Sequence, residues 1–490
     1  MRRAIPSAPS APASPARSFV LLALLVAGTA TAAASEPAHS SHALRPPSAA
    51  ADIATDCARD VYAHEPVAAL SSLQASGWDQ SQVAPAKPTR GVPLRDSAGT
   101  CVVRVTDHDA DSVGDFARND YSRRQAFNAD SSVLLVYGSG GYWHLYDARS
   151  LRHLLRLKGP AGDAEPQWHP TDPNTLYYLP TNGGLEIDAL DIRTNRSRVA
   201  ANLRDRLPWP DVTHLWTKDE GSPSADGRYW GFQAEAGTAF AIRGYLVYDL
   251  QQDRIVGSRA SSVRPDHVSM SPSGRWFVSS GDDDGTWAWS PDFSSKKKLH
   301  HKSEHSDLAF GADGHDLYVS VDFQSNSGDV FYVDIDQCPS VPATTPAASV
   351  PPCPRTVLFP TYIDGAHTSL HFSGKAYARP GWVVVSSYAT QPTRSGQWPW
   401  YTNKIFALEL SAQPRLFTLG RHEVSDYAGY WTEPHAAPNR QLDRVVFNSN
   451  WNTSSSNDVD DYMIVLREGA LPATTPRPAA SDTARRESAR

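Results

Sequence analysis

Ionisable side chains recur at equivalent places along this chain: Tyr121, Arg123 and Arg124; Glu165; Asp219 and Glu220; Asp266 and His267; Glu304, His305 and Asp307; His367 and Ser369; Glu433 and His435. Imidazoles beside carboxylates can ligate a metal or take a proton, a phenol can give one, and a guanidinium can clamp a carboxylate. His267 and Tyr121 are the candidate base and acid, and Arg123 and Arg124 the candidate carboxylate clamps. His305, His367, His435 and Glu433 are the candidate ligands of a divalent metal, Mn or Ca. Glu165, Asp219, Glu220 and Asp266 would line the substrate site. Trp398 and Trp400, in Gln397-Trp398-Pro399-Trp400-Tyr401, offer flat faces that stack on sugar rings. Every one of these residues also has a structural reading, as a turn cap or a bond to a neighbouring strand. His371, two positions beyond Ser369, reads as a core histidine and His169 as a turn residue. Asp282-Asp283-Asp284-Gly285 reads as a hairpin turn rather than a calcium loop, and Lys296-Lys297-Lys298 as a solvated turn.

These residues gather only if the chain repeats. It has 490 residues with 31 Gly, 38 Pro, 14 Trp and 19 Tyr but three Met, and 20% charged residues, which excludes a helical bundle or coiled coil. A phrase of polar start, strand, Pro/Asp/Ser/Gly turn and β-rich strand returns seven times. Its clearest copy is Asp266-His267-Val268-Ser269-Met270-Ser271-Pro272-Ser273-Gly274-Arg275-Trp276-Phe277-Val278. Starts lie roughly 40 to 65 residues apart, the length of a four-stranded propeller blade with insertions. Val102-Val103-Arg104-Val105 has no blade of its own, and the last repeat ends one strand short after Tyr462-Met463-Ile464-Val465-Leu466. The expected fold is therefore all-β, a seven-bladed β-propeller closed by pairing of N-terminal and C-terminal strands. The long 381–433 region leaves six or eight blades open. In such a ring the listed side chains stand at one mouth of the central channel.

The Ser-Pro-Ser-Gly-Arg-Trp and Ser-Ala-Asp-Gly-Arg-Tyr phrases resemble the repeats of TolB/WD40-like bacterial propellers, over about residues 100 to 466. Export, seven blades and the His/Arg-rich repeat starts are similar to the oligogalacturonate-lyase type of propeller. That resemblance implies β-elimination on uronic-acid glycans, in which the C5 proton is taken while the substrate carboxylate is neutralised. The alternative is a non-catalytic exported propeller that binds a protein, peptide or glycan with the same polar mouth. A hydrolase using acids such as Asp219 and Glu433 is a third reading. No Gly-x-Ser-x-Gly elbow with its partners and no phosphate loop occurs.

The ends set the compartment. Arg2, Arg3 and Arg17, the apolar run Phe19 to Val26 and the small residues to Ala34 form a Sec-type signal peptide over 1–34. A linker and N-terminal extension follow over 35–99, the propeller over 100–467 and a tail over 468–490. The formal charge of −7 becomes about −10 on removing the leader, which carries three Arg and no acid. This balance excludes a dedicated nucleic-acid binder. No apolar segment spans a membrane. A periplasmic or secreted monomer is expected. Four cysteines allow three pairings. The sequence does not choose among them; Cys338 with Cys353 and Cys57 with Cys101 is preferred, because it closes one short loop and leaves no cysteine free.

Overall fold

The computed structural model describes residues 57, 61–62, 70–79, 84–96, 100–218, 220–425, 429–453, 455, 457–467 and 469–475. The signal peptide over 1–34, most of the linker, Asp219 and the tail beyond 475 lie outside them. No helix of the described residues is long and apolar enough to cross a membrane.

Antiparallel strands dominate, grouped in chain order into up-and-down sheets. Gln167–Trp168, Thr175–Tyr178, Glu186–Asp191 and Arg196–Asn202 form one four-stranded sheet; Val212–Trp216, Tyr229–Ala236, Ala241–Asp249 and Arg254–Ala260 form the next. His267–Met270, Phe277–Gly281, Gly285–Trp289 and Ser295–His300 follow, extended by the short strand Val341–Pro342. Then come Ser306–Phe310, Asp316–Asp322, Asp329–Asp334 and Arg355–Pro360. The sheet beginning at His367–Ser373 continues through Trp382–Gln391, Lys404–Glu409 and Leu416–Arg421, and takes Ser72–Leu73 at its edge.

A nine-stranded sheet contains both ends of the described chain. One set within it runs from Phe116–Arg118 through Val133–Gly138 and Tyr142–Asp147 to His153–Ala161. The other holds Ala437–Pro438, Arg444–Ser449 and Val459–Val465, with Cys101–Arg104 antiparallel to the last in the register Tyr462↔Arg104 and Ile464↔Val102. A two-residue parallel contact, Val459↔Phe116 and Asp460↔Ala117, joins the two sets. The N-terminal strand without a blade of its own thus pairs with Val459–Val465, as expected.

Apolar faces of successive sheets pack on one another. Tyr245 and Val247 of one sheet cluster with Val268, Met270, Phe277, Trp287 and Trp289 of the next. The sheets approach so closely at Gly231 that a Cβ there would lie 2.7 Å from Phe277 and 3.0 Å from Met270 Sδ. Most of the tryptophans serve these contacts, with Trp143, Trp287 and Trp382 fully buried. Disulfides join Cys57 to Cys101 and Cys338 to Cys353, and suit an oxidising compartment.

Two readings of loops need correction. Lys296-Lys297-Lys298 is not a solvated turn but part of the strand Ser295–His300, with Lys296 and Lys297 buried. Their ammonium groups lie over the rings of Trp287 and Trp276, at 5.1 and 3.9 Å, which a run of charges does not reveal. Trp400 is core, 3% exposed and edge-on to Phe359 and Phe406, so it offers no face to a sugar.

Candidate functional site

Three groups meet where two repeats start. His371 lies in the strand His367–Ser373, and Glu433 and His435 follow the short 3-10 turn Tyr430–Thr432. His371 Nε2 is 2.6 Å from Glu433 Oε2, and His435 Nε2 is 3.4 Å from the same oxygen. All three are buried, and no Lys or Arg forms an ion pair with Glu433 among the described residues. His435 holds a left-handed backbone, φ +40°, a conformation that costs a β-carbon residue roughly 1–3 kcal/mol. Asn119 Nδ2 donates to its carbonyl at 2.9 Å and fixes it there.

Hydrogen bonds around the group set its tautomers. His305 Nδ1 is 2.8 Å from the Leu370 carbonyl, so it carries the proton and leaves Nε2 with its lone pair. The His305 ring stacks on His371 with centroids 4.5 Å apart, and Tyr388 lies nearly parallel to His371 at 4.7 Å. Asn448 accepts the Asn119 N–H through Oδ1 and turns its Nδ2 toward His435 Nδ1 at 3.4 Å. His435 Nε2 is buried without a hydrogen-bond partner. Burial, then the neighbouring His371, pushes the pKa of His435 down to about 3; burial, with His305 and Arg123, holds that of His371 far below the usual imidazole value. Both rings are therefore neutral, the state in which imidazole binds a metal.

A second group lies beside the first. Glu220, Asp266 and His267 stand at two neighbouring repeat starts, with His267 Nδ1 3.6 Å from Glu220 and 3.8 Å from Asp266. Arg123 pairs with Glu220 through Nη1 and donates from Nε to the Ser306 carbonyl. Gly221 holds Glu220 in place, since a Cβ at 221 would lie 1.9 Å from the Val268 carbonyl oxygen. Tyr121 joins the two groups: its ring is 4.8 Å from His435 and 5.4 Å from His371, and the Arg123 guanidinium lies 5.5 Å over it. Burial, then the Glu220 charge, raises the phenol well above its usual value. Burial, then Arg123, lowers His267 and keeps it neutral, with Nδ1 left without a partner.

The remaining candidates are placed elsewhere. Arg124 and Glu165 are buried: Arg124 lies 2.8 Å from Asp120, and Glu165 accepts the Thr217 N–H with both oxygens, at 3.0 and 2.9 Å. His367 is exposed, and the bulge between it and Ser369 leaves His371 in the group with Glu433 and His435. His371 is a buried, satisfied histidine as expected, and the partner that satisfies it is Glu433. Trp398 lines a cleft of ≈ 190 Å³ with Tyr388, Gln391, His422 and Glu433. Sequence reasoning also missed Tyr430 and Trp431, 40% and 48% exposed, which stand against the group: Tyr430 is 5.3 Å from His435, and Arg118 lies 3.9 Å over Trp431. The aromatic pair just before Glu433 was the available signal.

No family model and no curated protein matches the sequence. Solved structures do match the fold. An oligogalacturonate lyase from Vibrio parahaemolyticus aligns with TM-score 0.52 and 14% identity, over 77% of this chain and 97% of that one. An oligogalacturonate lyase in complex with manganese aligns with TM-score 0.50 and 14% identity, over 77% and 96%. A β-propeller domain from Myceliophteria thermophila aligns at 0.41 and 10%, over 71% and 98%. At these identities the likeness is one of fold, an all-β, propeller-like architecture.

Proposed function

We propose that this chain is an exported, metal-dependent lyase that cleaves uronic-acid glycans by β-elimination at the mouth of a closed seven-bladed propeller. Counting the two sets of the nine-stranded sheet separately gives seven groups of four or five strands, which supports seven blades, and the Cys101–Arg104 pairing supports closure by an N-terminal strand. The observation that carries the function is the convergence of His371, Glu433 and His435, with His435 Nε2 buried and making no hydrogen bond. The fold likeness to an oligogalacturonate lyase solved with manganese agrees with it.

Fit favours a metal here. Neutral imidazoles and a carboxylate suit a first-row transition ion such as manganese, whereas calcium takes 6–8 oxygen ligands. His371, Glu433 and His435 would hold it, with His305 alongside. When bound, the cation supplies positive charge that neutralises the substrate carboxylate and acidifies the adjacent C5–H.

The chain's own residues then perform the elimination. Arg123, anchored by Glu220 and the Ser306 carbonyl, presents its guanidinium beside Tyr121 for the substrate carboxylate. His267, neutral and with a partnerless Nδ1, accepts the C5 proton. Tyr121 keeps its proton at neutral pH and gives it to the departing glycosidic oxygen. The C5–H and C4–O bonds break and a C4=C5 double bond forms, which leaves an unsaturated uronide. Tyr430 and Trp431 offer the stacking surface.

The deciding experiment is metal analysis of the purified protein, paired with product absorbance on a panel of uronic-acid polymers with and without Mn²⁺. Stoichiometric metal and an unsaturated product are expected. Metal-free protein that yields no product on any polymer, with Mn²⁺ supplied, overturns the reading and leaves a binding propeller.

A further inference from the structure

A second cleft, of ≈ 420 Å³, opens between the outer strands of two successive sheets, away from the repeat starts. That volume lies within the ~300–1,000 Å³ of small-molecule sites. Its floor is Trp287 and Trp289 on the strand Gly285–Trp289, and its walls carry Arg259 from Arg254–Ala260 and Lys296 from Ser295–His300. Thr344 and Thr345, in the loop closed by the Cys338–Cys353 disulfide, cover one side. The loop is held by the pairing of Val341–Pro342 with Ser295–Lys296 and by the Ala343 N–H to the Ser294 carbonyl, at 2.9 Å.

Charge in the cleft is not balanced. Lys296 is 5% exposed, yet its ammonium makes no hydrogen bond or ion pair with any described residue; it lies 5.1 and 5.5 Å from the Trp287 and Trp289 rings. Arg259 stacks 4.5 Å over Trp289 and also lacks an ion pair among the described residues. The ammonium opens to the cleft, and two cations side by side repel, with Asp284 alone to offset them. Asp284 is the one carboxylate among the lining residues, and the hydroxyls of Ser262, Thr344 and Thr345 surround the opening.

We propose that this cleft binds a carboxylate-bearing sugar residue, at a site separate from the mouth. Two cations against Asp284 leave a net charge that one carboxylate neutralises. Asp284 and the hydroxyls accept and donate the hydrogen bonds of a sugar, while Asp284 opposes a dianion such as phosphate. The proposal does not depend on catalysis at the mouth.

Calorimetry on the full chain tests it, in the Glu433→Gln background; Arg123 remains at the mouth there, so the change on Arg259→Gln reads the cleft. The probes are galacturonic acid, galactose and inorganic phosphate. Galacturonic acid should bind, galactose and phosphate at least ~10-fold more weakly, and Arg259→Gln and Lys296→Met should each weaken the uronate at least ~10-fold. Arg259 is half-buried and unpaired, so its variant serves if Lys296→Met does not fold. Unchanged affinity in Arg259→Gln, no uronate binding, or phosphate binding as tightly as the uronate overturns the proposal.

Discussion

Two clusters in this molecule have the same ingredients, histidine and carboxylate, and opposite electrostatics. At Glu433, two neutral imidazoles face one carboxylate, with no ion pair from Lys or Arg among the described residues. At Asp460, in the strand that meets the N-terminal one, the carboxylate receives Arg104 Nη2 at 2.7 Å, Lys87 Nζ at 3.2 Å, His108 Nδ1 at 3.1 Å and Thr106 Oγ1 at 3.0 Å. Burial raises the Asp460 pKa, but the His108 bond and the Arg104 and Lys87 charges outweigh it and carry it down to about 2. Both groups satisfy the geometry of metal ligands. The difference teaches that geometry alone does not select a site: the protein has already supplied the cations at Asp460, and has left that place open at Glu433.

The largest effect should come from breaking the saturated cluster. Asp460→Ala leaves Arg104 and its neighbours buried without an anion and should cost about 3–5 kcal/mol, read as a fall in unfolding midpoint. A loss below about 1 kcal/mol would erase the contrast. Glu433→Gln should act the other way round: metal content and turnover fall by at least ~100-fold while stability stays within about 1 kcal/mol of the parent. If stability instead collapses as for Asp460, the group at Glu433 is packing.

Acid separates them more finely. The folded pKa of Asp460, about 2, lies below its ordinary 3.8, so the unfolded chain binds the proton first as pH falls. Its contribution, about 2 kcal/mol, is complete above about pH 4 and is lost as pH drops through 2. Denaturant titrations at pH 6 and pH 3 should show this step in the parent and a smaller one in Asp460→Asn. The smallest effect is expected for Trp431→Ala. Half exposed, it should leave the unfolding midpoint unchanged and raise KM a few-fold, on the order of 1 kcal/mol of stacking. An unchanged KM would remove Trp431 from the substrate path.

The repeat phrase made the sheets legible, because turn residues and alternating strands report local geometry. It also pointed to the partner of Val102–Val105, while the disulfides, observed as Cys57–Cys101 and Cys338–Cys353, followed a preference for closing the short loop. The site was legible as a set of repeat starts, but not as pairs. His371 and His367 differ by four residues on one strand, about 13 Å along it, and the repeat pattern does not say which of them reaches Glu433. Lys296 looked solvated because its burial depends on Trp287 and Trp289 across the strand and on a loop some 45 residues further on. Arg124 and Glu165 carry the right chemistry at the right places and are turned inward, which a one-dimensional pattern does not record.

The pairing of Cys101–Arg104 with Val459–Val465 also dictates an order of events. Arg104 and Asp460 are 356 residues apart, so their contact forms only when nearly the whole chain has been delivered. Closing so long a loop is slow rather than very costly, since each doubling of length adds only about 0.6 kcal/mol of entropy. Until then Cys101–Arg104 lacks its partner on this side, and a chain that stalls before Val459–Val465 carries a strand edge free to pair with a neighbour's. The seam is thus a checkpoint on synthesis, passed only by a finished molecule.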